Sequence, residues 1–223
     1  LAKLWAGMAG SYSYPLVLLS VVIAMAASYV ALDLAARTTA AQGRARRAWL
    51  MGGAVSMGVG IWSMHYIGML AFSLPVAVRY DIPTVAYSLL AAMAASGVAL
   101  FVVSRRELTH PAAVAGAVLM GASIASMHYI GMYAMRLDAM CVWNVRRVVL
   151  SVAIAMAVSL VALLLAFHFR REGRSFAPLK ILSAAVMGVA IAAMHYTGMS
   201  AATFLPGAMP GRPTSRIARS WAL

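Results

Sequence analysis

Three of the five histidines in this 223-residue chain stand in one repeated hexapeptide. The copies are Met64-His65-Tyr66-Ile67-Gly68-Met69, Met127-His128-Tyr129-Ile130-Gly131-Met132 and Met194-His195-Tyr196-Thr197-Gly198-Met199. Imidazole and thioether are both metal ligands, and the pairing of a nitrogen donor with soft sulfur favours copper, Cu(I) in particular. The candidate site therefore centres on His65, His128 and His195, each with a methionine just before it and another four residues on. Zinc more often recruits cysteine or carboxylate beside histidine, and no carboxylate lies near the hexapeptides; Asp33, Asp81 and Asp138 stand elsewhere. Haem held by two histidines fits a threefold repetition poorly. The hydroxyls of Tyr66, Tyr129 and Tyr196 are placed to hydrogen-bond the second imidazole nitrogen and fix its tautomer.

On a helix, His65 and Met69 share a face, with Gly68 beside it and Gly58 two turns back. The matching glycines are Gly121 and Gly131, then Gly188 and Gly198. Glycines on such a face let neighbouring backbones approach closely. A histidine within a membrane span is a functional-site candidate, whereas a methionine stripe is ordinarily core filler. Duplication alone would copy packing residues too, but the copies have diverged where packing tolerates it: Trp62 corresponds to Ala125 and Ala192.

The elements that must carry these residues are long and apolar. The chain is 64% hydrophobic with mean hydropathy +0.87 and only 10% charged residues, against roughly 25% charged in soluble domains. Spans are expected near 15–36, 48–73, 83–104, 111–135, 146–169 and 179–204. Pro15, Pro83, Pro111 and Pro178 stand at or near their starts, where a missing N–H costs nothing. Spans two, four and six carry the hexapeptide after a Met-Gly pair and an isoleucine: Met57-Gly58 and Ile61, Met120-Gly121 and Ile124, Met187-Gly188 and Ile191. Spans one, three and five share a second string: Ser20, Met25, Ser28; Ser88, Met93, Ser96; Ser151, Met156, Ser159. The expected fold is an all-α membrane protein of six transmembrane helices, three repeated hairpins around a pseudo-threefold axis along the membrane normal. That arrangement brings the three motifs to one depth. Residues 1–14 read as an interfacial lead-in, 15–204 as the transmembrane domain and 205–223, rich in Pro and Arg, as a disordered tail.

The formal charge of +13 does not point to nucleic acid, because the basic residues form short clusters between apolar runs rather than a face. With the amino terminus outside, Arg37, Arg44, Arg46, Arg47, Arg105, Arg106, Arg170, Arg171, Arg174 and Lys180 lie inside, against Lys3, Arg79, Arg136, Arg146 and Arg147 outside, the tail's Arg212, Arg216 and Arg219 being set aside. That bias turns the motif ends outward. The lone Cys141 excludes a disulfide within the chain and reads as incidental; His110 and His168 read as interface residues, and Asp33 with Arg37 as a structural i,i+4 pair. No soluble catalytic domain fits, so the chain is not expected to be an enzyme. It begins with Leu, and whether a further helix or output domain belongs to it stays open.

The thrice-repeated Met-His-Tyr-[Ile/Thr]-Gly-Met on every second helix resembles the MHYT domain of bacterial integral-membrane sensors, over about residues 10–205 and including Ala31-Leu32-Asp33-Leu34. The third copy spells Met-His-Tyr-Thr; the first two have Ile67 and Ile130 in place of Thr. The resemblance implies a sensor that binds copper near the outer face, with His65, His128 and His195 as ligands and Met64, Met69, Met127, Met132, Met194 and Met199 as sulfur donors, and that detects a diatomic gas such as O2, CO or NO. It also implies signalling output through a cytoplasmic cyclic-di-GMP domain, on the same chain or a partner protein. A metal-ion or proton transporter lined by the three histidines is the competing expectation. It would require polar residues continuing inward, where Ile61 and Gly58 stand instead.

Overall fold

The computed structural model describes residues 8–105, 107–169 and 177–206. Six α-helices dominate: α1 (Tyr14–Ala40), α2 (Gly43–Leu70), α3 (Ile82–Val103), α4 (His110–Tyr133), α5 (Val145–Phe169) and α6 (Ala177–Met199). Each packs on its neighbours in sequence, and α6 returns to α1, so the helices close into a ring. Five of them, all but α2, are long and apolar enough to cross a membrane. α2 is as long, at 28 residues, but carries Arg44, Arg46 and Arg47 in its first turns and glycines at 52, 53, 58 and 60.

The expected spans coincide with the helices except at α1, α2 and α6; α1 runs on to Ala40 rather than ending near 36. α2 begins at Gly43 rather than 48, because Gly43 adopts the left-handed φ of 55° that a sharp α1–α2 turn needs. α6 ends at Met199, and the chain continues as a strand.

Strands were not anticipated. Three short antiparallel ribbons lie at the motif ends: β1 (Ser11–Tyr12) with β2 (Phe72–Ser73), β3 (Arg79–Tyr80) with β4 (Met135–Arg136), and β5 (Ala139–Trp143) with β6 (Ala202–Pro206). Each joins the segment entering an odd helix to the segment leaving the next. A repeated backbone bond locks the junction: Ser13 N–H to Ala71 C=O at 2.8 Å, Asp81 to Ala134 at 2.9 Å and Asn144 to Ala201 at 2.8 Å. Ala71, Ala134 and Ala201 are fully buried there, leaving no room for a larger side chain. Four of these strands are two residues long, too short for alternation to reveal them, and the five-residue β5 and β6 do not alternate apolar with polar residues. Leu205 and Pro206, placed in the tail on sequence grounds, pair with Met140 and Ala139; the remainder of that tail and residues 1–7 of the lead-in lie outside the described residues.

The ring is held by repeated close approaches. A Cβ on Gly58 would lie 2.6 Å from Met93 Cα, one on Gly121 2.6 Å from Met156 Cα, and one on Gly188 2.5 Å from Met25 N. The glycine of the motif-helix string thus meets the methionine of the other string. That contact explains why both repeats persist. Side chains turned out of the ring are apolar, with Leu18, Val22, Tyr87, Leu90, Leu119, Val149, Leu182 and Val186 all exposed. The ends of α1 and α6 away from the motifs are tied by Asp33, which pairs with Arg37 at 2.5 Å and Lys180 at 3.1 Å.

Candidate metal centre

His65 on α2, His128 on α4 and His195 on α6 come together at the centre of the ring, each at most 1% exposed. Their ring centroids are 5.0–5.1 Å apart, each pair edge to face. The Nδ1 atoms point inward at one another: His65 to His195 is 3.1 Å and His65 to His128 is 3.2 Å. His110 heads α4 and His168 stands near the end of α5, beside Phe169, so neither belongs to the cluster.

An Nδ1 presents one in-plane proton or one lone pair. His65 Nδ1 therefore satisfies one of its two neighbours and not the other. A cation resolves the conflict, since all three nitrogens present lone pairs to it. A metal about 2.0 Å from each nitrogen sets nitrogens about 3.3–3.5 Å apart in tetrahedral or trigonal geometry, close to the spacing observed. The donor set fits a metal ion.

The Nε2 atoms point outward, and none makes a hydrogen bond of proper geometry. Each instead abuts a motif glycine on another helix: His195 on Gly68, His65 on Gly131 and His128 on Gly198. A side chain on any of these glycines would overlap the imidazole. The His-x-x-Gly spacing therefore serves two contacts at once. Each motif sends its histidine to one neighbour and offers its glycine to the other.

The methionines divide between two layers. Met64, Met127 and Met194 are buried beside the histidines in sequence, at 0–3% exposed. Met69, Met132 and Met199, one turn further along, join Met135 and Phe204 in an apolar cluster beneath the ribbons. Phe72, Leu74, Tyr80, Cys141 and Trp143 pack against it. Cys141 thus sits in the cap over the motif ends, its thiol pushed up to about 11 by burial.

The tyrosine hydroxyls depart from expectation. Tyr129 and Tyr196 set their rings edge-on to His128 and His195. Their hydroxyls hydrogen-bond Ser151 at 2.6 Å and Ser20 at 2.8 Å rather than any imidazole nitrogen. In the first motif the indole N–H of Trp62 takes that place, donating to Ser88 at 3.0 Å, while Tyr66 stacks on Trp62. Sequence reasoning missed Ser20, Ser88 and Ser151 as partners. Their recurrence in the second string was the available signal.

On the side of the triad away from the ribbons lies a cavity of about 60 Å³ lined almost wholly by apolar groups. Ile61, Ile124 and Ile191, each one turn before a histidine, line it together with Met57, Met120 and Met187.

The profile of the MHYT family, described as a bacterial signalling protein N-terminal repeat, matches residues 5–52, 58–116, 121–177 and 188–217. The chain belongs to the MHYT family. Three of the matched segments begin at Gly58, Gly121 and Gly188, the glycines on which the helices pack. This MHYT chain is 45% identical over 211 residues to the bifunctional diguanylate cyclase/cyclic di-GMP phosphodiesterase MucR of Pseudomonas aeruginosa, covering 95% of the chain and 31% of MucR. It is 40% identical to the signaling protein YkoW of Bacillus subtilis, covering 87% of the chain and 24% of YkoW. It is also 38% identical to the cyclic di-GMP phosphodiesterase NbdA of Pseudomonas aeruginosa, over 86% of the chain and 24% of NbdA. The chain thus spans a third or less of the length of these relatives. No solved structure matches it.

Proposed function

We propose that this chain is the sensor domain of a bacterial inner-membrane signalling protein, holding copper through His65, His128 and His195. The convergence of three buried Nδ1 atoms on one point carries the reading. In this reading all six helices span the bilayer as three hairpins about a pseudo-threefold axis along the membrane normal, with the motif ends outward. The closed ring and the cyclic histidine–glycine contacts support that arrangement, and the basic residues at the opposite ends of the helices support the orientation.

The residues divide the work. The histidines supply three nitrogens in a fixed triangle, their outer edges wedged by Gly131, Gly198 and Gly68. The serine-bound Tyr129 and Tyr196 hold two imidazoles from the side. The buried methionines exclude water and offer soft sulfur should a ligand position open; Met64, Met127 and Met194 adjoin the histidines, and Met69, Met132 and Met199 roof them. Reduced copper, when bound with an open position, supplies affinity for a diatomic molecule such as O2, CO or NO. A shift of one histidine would be felt by the next motif helix, because its imidazole is wedged against that helix's glycine. Output then comes from a cyclic-di-GMP domain, by analogy with what MucR and NbdA are named for; the chain senses and does not catalyse.

The transporter reading is less well supported, because an ion leaving the histidines inward meets Ile61, Ile124 and Ile191 and then an apolar cavity. Metal analysis of the purified chain tests the proposal. Near-stoichiometric copper that falls away in the triple His65→Ala, His128→Ala, His195→Ala variant supports it; equal copper in both sinks it.

A further inference from the structure

The cavity on the side of the histidines away from the ribbons has its own chemistry. It lies among all six helices, with Leu32, Leu100 and Leu163 from the odd helices facing Met57, Met120 and Met187 from the even ones. Its volume of about 60 Å³ exceeds the roughly 10–15 Å³ that one water needs, and a lining mostly of leucine, isoleucine and methionine suits an apolar guest. A packed bundle ordinarily leaves few voids larger than a water molecule. Two hydroxyls break the apolar lining. Ser28 and Ser159 line the cavity, are 2% and 1% exposed, and make no hydrogen bond. Ser96, their counterpart on α3, turns back instead to the carbonyl of Ala92 at 2.9 Å.

We propose that this cavity is a binding site for a small uncharged molecule of a few heavy atoms, with an apolar body held by the leucines, isoleucines and methionines and an acceptor atom turned to Ser28 and Ser159. The site is separate from the histidine triad and holds its guest whether or not a metal is bound. Its position gives it a consequence: Ile61, Ile124 and Ile191 stand between the guest and the imidazoles, each one helical turn from a histidine. Filling or emptying the space presses on the residues that set the triangle of Nδ1 atoms.

Gas-pressurised crystals of the full chain test this, with xenon as a guest without an acceptor and nitrous oxide as one with it. Both are expected to give density between Leu32, Leu100 and Leu163. Ala162→Leu, which adds bulk to the lining, is expected to abolish both peaks while leaving metal content unchanged; should that variant not fold, Ile124→Val, which enlarges the space, is expected to raise xenon occupancy. Ser28→Ala with Ser159→Ala is expected to lower nitrous oxide occupancy several-fold and leave xenon in place. Absence of both guests from the cavity, or guest density only in the surrounding lipid, overturns the site. Nitrous oxide occupancy indifferent to the serines overturns the proposed acceptor chemistry.

Discussion

The imidazole of His195 rests its Nε2 edge on the backbone of Gly68, a residue of another helix at the same position in the repeat. His65 rests likewise on Gly131, and His128 on Gly198. Three identical contacts run in one direction around the ring. The histidine and glycine of each hexapeptide thus belong to different pairs, and neither can change without disturbing a neighbour.

Gly68→Ala, Gly131→Ala and Gly198→Ala are each predicted to destabilise the protein by about 1–3 kcal/mol, the usual cost of an overpacked core. A planar ring locked between helices cannot move aside as a flexible chain would. Each substitution is also predicted to lower metal content, because the ring it displaces carries a nitrogen of the triad. Gly52→Ala is the control. Nothing lies within 4 Å of its Cβ position, so stability is expected unchanged or raised by up to about 1 kcal/mol through helix propensity. Thermal unfolding and metal analysis on the same preparations check both.

Gly58→Ala, Gly121→Ala and Gly188→Ala oppose backbone rather than a side chain, at Met93, Met156 and Met25. Backbone cannot change rotamer, so two helices must separate. Losses at or above about 3 kcal/mol are expected, with metal content falling only as far as the folded fraction does. Comparing metal bound per folded molecule between this set and the Gly68 set separates the two effects.

Tyr129→Phe and Ser151→Ala are predicted to cost about 1 kcal/mol each and to be coupled by a similar amount in a double-mutant cycle. Trp62 and Ser88 are predicted to couple in the same way, although the residue types differ, because the indole occupies the hydroxyl's place. Independent effects at either pair would contradict the repeated bond.

Acid is predicted to loosen the α3 entrance. The Thr84 hydroxyl at 2.5 Å and its amide at 3.1 Å, with Arg136 beyond them, hold the Asp81 carboxyl below the usual carboxylate range. A depressed carboxylate contributes stability above its unfolded value near about 3.9, and the contribution disappears as pH falls through the folded value. Hydrogen exchange of the first turn of α3 is expected to rise below about pH 4 in the native chain. In Asp81→Asn, which still caps the helix, that rise is expected to be absent.

The thiol of Cys141, raised to about 11 by burial, is predicted to resist alkylation at neutral pH until the cap unfolds. Cys141→Ser is predicted to leave metal content unchanged. A mass shift on brief treatment of the folded chain would contradict the first statement, and lost metal the second.

Much of this was legible before any coordinates. The six helices follow from apolar runs punctuated by Pro15, Pro83, Pro111 and Pro178, and the meeting of the histidines follows from their placement on alternate helices. What escaped depends on contacts between helices that one helical wheel cannot show. Gly68 reads as a smoothing residue on its own helix; its partner His195 comes from 127 positions away, the difference of their residue numbers. The tyrosine hydroxyls read as imidazole partners by proximity in sequence, whereas the serines of the next helix are the nearer acceptors in space. The ribbons are two to five residues long and are fixed by the helix ends they join, not by their own pattern.

The central claim is that His65, His128 and His195 bind one copper through Nδ1. X-ray absorption at the copper edge, on the full chain carrying one equivalent of Cu(I), tests it most directly. Imidazole nitrogen scattering is expected at about 2.0 Å, with the imidazole outer shells, and is expected to be lost in the triple His65→Ala, His128→Ala, His195→Ala variant. An unchanged spectrum in the triple histidine variant would contradict it.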